Sequence, residues 1–224
     1  MTEDNDAIKD VFQNGKGEII SDEVSTCRMS GLEHTRLRPC MYIGQLGNGS
    51  HIDDGIYILV KEIIDNSIDE FVMGYGNRIS IRLNDKLVSV RDYGRGIPLE
   101  RVIECVSDLI TCEKNSDDVF NISIGIKKIG YEKVNALSSY FHVKTQRKGR
   151  FFEASFERGI LKDRKEGLTD DPDGTLIEFM PDEEIFGQYE FNEEFITKRI
   201  ETYCDKNKGL SFDFNGKIFK KQQG

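Results

Sequence analysis

The sequence predicts an α+β fold: a two-layer sandwich with a mostly antiparallel sheet and helices on one face. Three observations predict it. Apolar residues recur at helical spacing across residues 53–73, at Ile56, Leu59, Val60, Ile63, Ile64 and Phe71. Strand-like segments alternate across short turns at Asn84-Asp85, Lys148-Gly149 and Asn215-Gly216. Helical and strand segments are interspersed without a regular strand–helix–strand alternation, which points away from a parallel doubly wound sheet.

The elements follow in order. Residues 1–28 are polar and read as a flexible N-terminal arm, with at most a short helix near 7–13. Residues 31–44 read as a short helix stopped before Pro39, followed by an extended piece. The long amphipathic helix at 53–73 ends at Gly74 and Gly76. Strands are expected at 78–83 and 86–92, then a Gly-rich turn at 93–98 and a helix at 99–109. Residues 110–124 are polar and without period, which predicts a long loop. A second helix is expected at 130–138, a hairpin at 141–146 and 150–158, and a strand at 174–180. Residues 192–206 read as a helix with Asn192 as N-cap and Glu193 and Glu194 in its first turn. A final hairpin joins 210–214 to 217–220.

Composition narrows the function. The 224 residues are 32% charged and 38% hydrophobic, with a net charge of -9. That balance argues against a surface that grips DNA or RNA by itself, because phosphate contact needs concentrated Lys and Arg. The five cysteines, Cys27, Cys40, Cys105, Cys112 and Cys204, form no C-x-x-C pair, so reduced thiols in a cytoplasmic protein are expected. The N-terminus is acidic and no apolar run is long enough for a membrane span.

Four segments carry chemistry. In Glu62-Ile63-Ile64-Asp65-Asn66-Ser67-Ile68-Asp69-Glu70, helical spacing puts Glu62 and Asn66 on one face. Glu can take a proton from water, and Asn offers a neutral oxygen to a hard cation such as Mg2+. Taken alone, the segment also fits a solvated acidic helix face. The second is Asp92-Tyr93-Gly94-Arg95-Gly96-Ile97-Pro98, just past a strand. There Asp92 can accept from an exocyclic amine and the glycines allow close approach of a ligand; a tight turn is the plainer reading. The third is Ser123-Ile124-Gly125-Ile126-Lys127-Lys128-Ile129-Gly130 before a helix, where backbone amides can hold phosphate. It is not a Walker A loop, because Tyr131-Glu132 follow where Lys-Ser/Thr would be needed. The fourth is Asp173-Gly174-Thr175, entering a strand.

In this order the four motifs resemble the ATP-binding domain of the GHKL superfamily, which includes Hsp90, MutL and sensor histidine kinases. The segment Arg38-Pro39-Cys40-Met41-Tyr42-Ile43-Gly44 and the helix E-I-I-D-N-S-I-D-E are similar to the B subunits of bacterial type IIA topoisomerases, those of DNA gyrase and topoisomerase IV. They speak against a histidine kinase. The resemblance covers residues 29–220, read as one ATP-binding domain, and implies that the chain is a fragment without the transducer and DNA-cleavage domains. It implies Glu62 as general base, Asn66 as Mg2+ ligand and Asp92 as adenine reader, with Thr175 supporting Asp92 through a water. It further implies Arg95 at the pocket mouth paired with Glu70, and a pocket wall of Gly96, Ile97 and Pro98. Asp69 falls in the same acidic motif and Lys114 falls in the ATP lid. The phosphate turn runs from Gly125 through Lys127, Lys128 and Ile129 to Gly130. ATP and Mg2+ are the implied ligands. The implied partners are a topoisomerase A-type subunit, DNA, and a second copy that dimerises when ATP binds.

Departures from the family pattern cluster where the phosphates belong. The lid reads Thr111-Cys112-Glu113-Lys114, Lys128 stands in place of the middle glycine of the turn, and Tyr93 follows Asp92. Glu113 and Glu132 are expected to add negative charge beside the triphosphate. Two expectations therefore stand: a working ATPase domain, or a degenerate relative with weak hydrolysis acting as an interaction module.

Overall fold

The computed structural model describes residues 30–107 and 130–221. Its helices are α1 (Gly31–Leu37), α2 (Cys40–Ile43), α3 (Gly55–Val72), α4 (Val102–Ser107), α5 (Tyr131–Ala136), α6 (Glu183–Phe186) and α7 (Glu193–Lys206). Its strands are β1 (Arg78–Asn84), β2 (Leu87–Asp92), β3 (Ser138–Arg147), β4 (Arg150–Glu157), β5 (Ile160–Leu168), β6 (Gly174–Pro181), β7 (Ser211–Phe214) and β8 (Lys217–Lys220). They form one sheet in the order β5-β4-β3-β6-β2-β1-β7-β8. All neighbours are antiparallel except β1 and β7. The α+β class and the mostly antiparallel sheet agree with the sequence.

Helix α3 is the long apolar helix of the sequence pattern. It lies on β1, β2 and β6 and buries Ile56, Leu59, Val60, Ile63, Ile64 and Ile68. Each such side chain contributes about 1.5–3 kcal/mol by leaving water. The Tyr57 hydroxyl pins the start of α3, donating to the Gly49 carbonyl at 2.8 Å and accepting from the Asn192 amide at 2.7 Å. Helix α7 begins as the sequence predicts: Asn192 accepts from the Glu194 amide at 2.9 Å.

Asp182, fully buried, ties the far end of the site to the N-terminal helix. It receives Arg36 at 2.7 Å and Arg158 at 2.8 Å, while Arg36 also donates to the Ala136 carbonyl at 2.8 Å. The end of α5 is thereby fixed against α1 and β6.

The structure differs from the sequence reading in four places, one of them the short helix α6, where the sequence reading had no element. The extended piece expected after Pro39 is the helical turn α2; Pro39 has φ -59° and ψ -36°, and proline's fixed φ suits a helix start. Strand β5 has no counterpart in the sequence reading. Its residues are mostly charged and exposed, so they carry no apolar alternation, and its existence follows from pairing with β4 across the Arg158-Gly159 turn. The helix expected over 130–138 is shorter, since β3 begins at Ser138.

Candidate functional site

The second half of α3, the turn after β2, the start of β6 and the start of α5 converge. Glu62, Asn66 and Asp69 fall at i, i+4 and i+7 of α3, on one face. Glu62 is buried at 5% exposure, with the Lys61 ammonium 3.8 Å from its carboxylate. Asn66 Nδ2 donates to the Glu62 backbone carbonyl at 2.8 Å, which leaves Oδ1 as the presented atom. Asp65 belongs to another face. It pairs with Lys61 and accepts from the Tyr203 hydroxyl at 2.5 Å, so the acidic run divides between the site and the α7 contact.

Asp92, the last residue of β2, is 4% exposed. Its Oδ1 accepts two backbone amides, from Gly94 at 2.9 Å and from Thr175 at 3.2 Å. With both bonds on Oδ1, Oδ2 is the atom available to a ligand. Burial pushes the Asp92 carboxyl up to about 6; the two amides and the Arg91 charge oppose this, and the Glu70 charge adds to it. Thr175 thus supports Asp92 through its own amide.

Arg95 and Glu70 form the lip of the site. The Arg95 amide donates to Glu70 Oε2 at 2.9 Å, Nε to the same oxygen at 3.1 Å, and Nη2 to Oε1 at 2.9 Å. The guanidinium also stacks over the Tyr75 ring, 4.2 Å from its centroid. The pairing implied by the resemblance is present, and bidentate geometry gives it more than the strength of an ordinary surface pair. A pocket of about 380 Å³ opens there, lined by Tyr75, Tyr93, Gly94, Arg95, Arg147 and Asp173 among others. A larger open groove of about 830 Å³ runs past Asn48 and Phe191, by the start of α3. At 1.5 Å per residue that is roughly 20 Å of helix from Glu70, so it is separate from this chemistry.

The glycines of the turn serve the protein's own packing, and Gly94 also lines the pocket. A Cβ on Gly94 would meet the Glu70 side chain at 2.7 Å. Gly96 has φ +72°, and a Cβ there would meet the Gln146 carbonyl oxygen at 2.3 Å. Ile97 is buried, and Pro98 leads from the turn into the 3-10 turn Leu99–Arg101. Thr145 donates to the Ile97 carbonyl at 3.3 Å and Arg147 to the Gly96 carbonyl at 2.8 Å. These two β3 residues, missed by the sequence reading, hold the turn from about 50 positions away. Gly96→Ala is therefore expected to lower stability by at least about 2 kcal/mol, through positive-φ strain and a backbone clash. Thermal unfolding checks it, and an unchanged midpoint would remove the packing role.

At the phosphate side, Gly130 has φ +22° and caps α5, which is only six residues long. The Glu132 carboxylate folds back over Gly130, 2.0 Å from where a Cβ would stand, and pairs with Lys133 Nζ at 2.6 Å. Of the two expected acids, Glu132 is thus paired with Lys133. Lys114, Gly125, Lys127, Lys128 and Ile129 lie outside the described residues, as does Glu113. No group of three or more His, Cys, Asp or Glu able to hold a metal occurs among the described residues. None of the described helices is long and apolar enough to cross a membrane.

The profile of the family described as histidine kinase-, DNA gyrase B-, and HSP90-like ATPase matches residues 51–168. The chain belongs to this ATPase family. The match takes in Glu62, Asn66 and Asp92 but stops before Thr175. Across 203 residues the chain is 53% identical to the B subunit of DNA topoisomerase 4 from Borreliella burgdorferi, covering 91% of this chain and 34% of that protein. The B subunit of DNA gyrase from the same organism is 33% identical over 205 residues, covering 87% of this chain and 32% of that protein. The chain thus spans about a third of the length of these relatives. The crystal structure of the 43K ATPase domain of Thermus thermophilus gyrase B, in complex with an aminocoumarin, superposes with a TM-score of 0.71. Its sequence identity is 31%, over 86% of this chain and 52% of that one. The ATPase fold of the family and the fold described above are therefore the same.

Proposed function

We propose that this chain is the ATP-binding and ATP-hydrolysing domain of a type II topoisomerase B subunit of the topoisomerase IV kind. The observation that carries the reading is Asp92: a buried carboxylate, held by two amides on one oxygen, with the other oxygen left for an exocyclic amine. The topoisomerase IV assignment rests on the contrast within one organism, 53% identity to its topoisomerase 4 relative against 33% to its gyrase relative.

Each residue then has a task. Asp92 accepts from the adenine amine, and Thr175 and Gly94 keep its carboxylate oriented. Glu70 and Arg95 hold the lip closed around Gly96, Ile97 and Pro98. Glu62, on the rigid face of α3, takes the proton from the water that attacks the terminal phosphate. Asp69 shares that face. The donor set fits Mg2+, because Asn66 offers one neutral hard oxygen and Mg2+ is commonly held by one or two protein oxygens with phosphate and water. When bound, Mg2+ neutralises charge on the phosphates. Lys114 and the turn from Gly125 to Gly130 contact those phosphates.

In the assembly, ATP binding joins two copies and closes a gate on DNA, with an A-type subunit supplying the rest of the machine in the cytoplasm. The net charge of -9 supports a DNA-gripping surface on other parts of that assembly. A second reading, nucleotide binding with weak turnover, is favoured by Glu132, whose carboxylate lies over Gly130. Calorimetric titration with ADP and with a non-hydrolysable ATP analogue, both with Mg2+, tests these readings. The analogue is expected to bind at least as tightly as ADP. Much weaker binding of the analogue would favour the second reading, and binding of neither by folded protein would overturn both.

A further inference from the structure

We propose that Lys61 is a positioning residue for the general base, its ammonium holding the Glu62 carboxylate in the orientation that meets the attacking water. The inference rests on the ATPase reading above. Lys61 Nζ stands 3.8 Å from Glu62 Oε1 and also pairs with Asp65 Oδ2, one turn further along α3. One cation therefore stands between two carboxylates, one belonging to the site and the other to the α7 contact.

Helix geometry makes the Glu62 contact informative. Side chains at i and i+4 share a face, so the Lys61–Asp65 pair is the ordinary one and by itself supports only the helix. Side chains at i and i+1 diverge, so Lys61 reaches Glu62 only by bending its flexible four-carbon stem across the helix surface. The Glu62 side chain is buried, while Lys61 and Asp65 are partly exposed. An attraction between charges strengthens where water is excluded, and the Glu62 end is the dry one.

The far side of the ammonium is anchored. Asp65 divides its oxygens: Oδ2 takes Lys61, and Oδ1 accepts from the Tyr203 hydroxyl of α7 at 2.5 Å. The Tyr203 ring stacks on Phe212, fully buried in β7, with 19° between the ring planes. A line from Phe212 through Tyr203, Asp65 and Lys61 thus runs from the sheet to Glu62. On the core side, Val60, Ile63 and Ile64 are buried and fix the backbone of the same turn of α3. Glu62 is then held both at its backbone and at one carboxylate oxygen. A base so held is placed before reaction, and a displacement of about 1 Å can reduce that benefit about 100-fold.

The test measures ATP turnover in the dimerising subunit for Lys61→Met and Lys61→Arg, each with Glu62 intact and in a Glu62→Gln background. Lys61→Met keeps the stem and loses the charge. Its kcat is expected to fall roughly tenfold, with KM and analogue affinity within about threefold, because the Glu62 side chain remains but is no longer held. Its thermal midpoint should stay within about 4 °C, the most that one partly exposed pair supplies. Lys61→Arg keeps the charge and should stay within about threefold of wild type. With Glu62 already Gln, Lys61→Met should lower the residual turnover no further, since the group it positions is gone. A kcat within about threefold of wild type in Lys61→Met overturns the role. So does equal slowness in Lys61→Arg, a parallel loss of affinity, or the same tenfold loss in the Glu62→Gln background; each leaves the ATPase reading intact. Absence of ATP turnover in the folded, dimerising wild type overturns that reading, and this role with it.

Discussion

Replacing Glu62 with Ala is expected to lower ATP turnover by at least about 100-fold in the dimerising subunit, with nucleotide affinity held within about threefold. The size follows from general-base catalysis, which contributes roughly 100- to 10,000-fold when the base is positioned before reaction. Glu62 meets that condition because the neighbouring Leu59, Val60, Ile63 and Ile64 of α3 are fully buried and hold that part of the helix on the sheet. The separation of turnover from binding follows from where Asn66 is anchored. Its amide holds the backbone carbonyl of residue 62, not the carboxylate, so truncating the side chain leaves the proposed cation ligand in place. The Lys61–Asp65 pair on the neighbouring face is also untouched. Glu62→Gln, which keeps shape and loses basicity, should behave like Ala in turnover. A coupled ATPase assay alongside calorimetry measures both quantities. Turnover within threefold of wild type in either variant would remove Glu62 from the mechanism, and a parallel loss of affinity would make it a binding residue.

The parts of the site that could be read from sequence are those whose chemistry is local. Glu62, Asn66 and Asp69 are legible because three residues at helical spacing share a face whatever the fold around them. Asp92 and its glycines are legible as a turn at a strand end, and Asn192 as a cap. Other parts depend on partners far along the chain. Thr145 and Arg147 look like ordinary strand residues until β3 is laid beside the turn whose carbonyls they hold. Gly94 and Gly96 suggest room for a ligand, yet the neighbours that exclude a side chain are Glu70 and Gln146. Strand β5 lacks any signal because an edge strand exposed on both faces needs no apolar period. Glu132 is legible as an acid just past the proposed phosphate turn but not as one half of a pair with Lys133.

Asp92→Asn should move binding and stability in opposite directions. Asn Oδ1 can accept from the Gly94 and Thr175 amides as Asp does, but Nδ2 then faces the adenine amine, donor against donor. Turning the amide over would set Nδ2 against those two backbone donors instead. Either arrangement leaves a buried mismatch, so adenine nucleotide affinity should fall by at least about 100-fold. Stability should rise. The Asp92 carboxyl sits at about 6 in the folded protein against an ordinary 3.8. At about 1.36 kcal/mol per pH unit, that interval is a cost of about 3 kcal/mol for holding the buried charge at neutral pH. Because the folded state holds the proton more tightly than the unfolded chain, wild-type stability declines as pH rises from about 4 to about 6. The Asn variant lacks this decline. The two proteins should unfold alike below pH 4, and the variant should be more stable by roughly 1–3 kcal/mol above pH 6. Wild-type nucleotide affinity should run the other way, weakening below about pH 6 as Asp92 takes up its proton. Denaturant unfolding and calorimetry across that range read both trends. Unchanged nucleotide affinity in the variant would remove Asp92 from the base pocket. A variant that loses affinity and stability together would make Asp92 a support of the fold rather than a charge kept for its ligand.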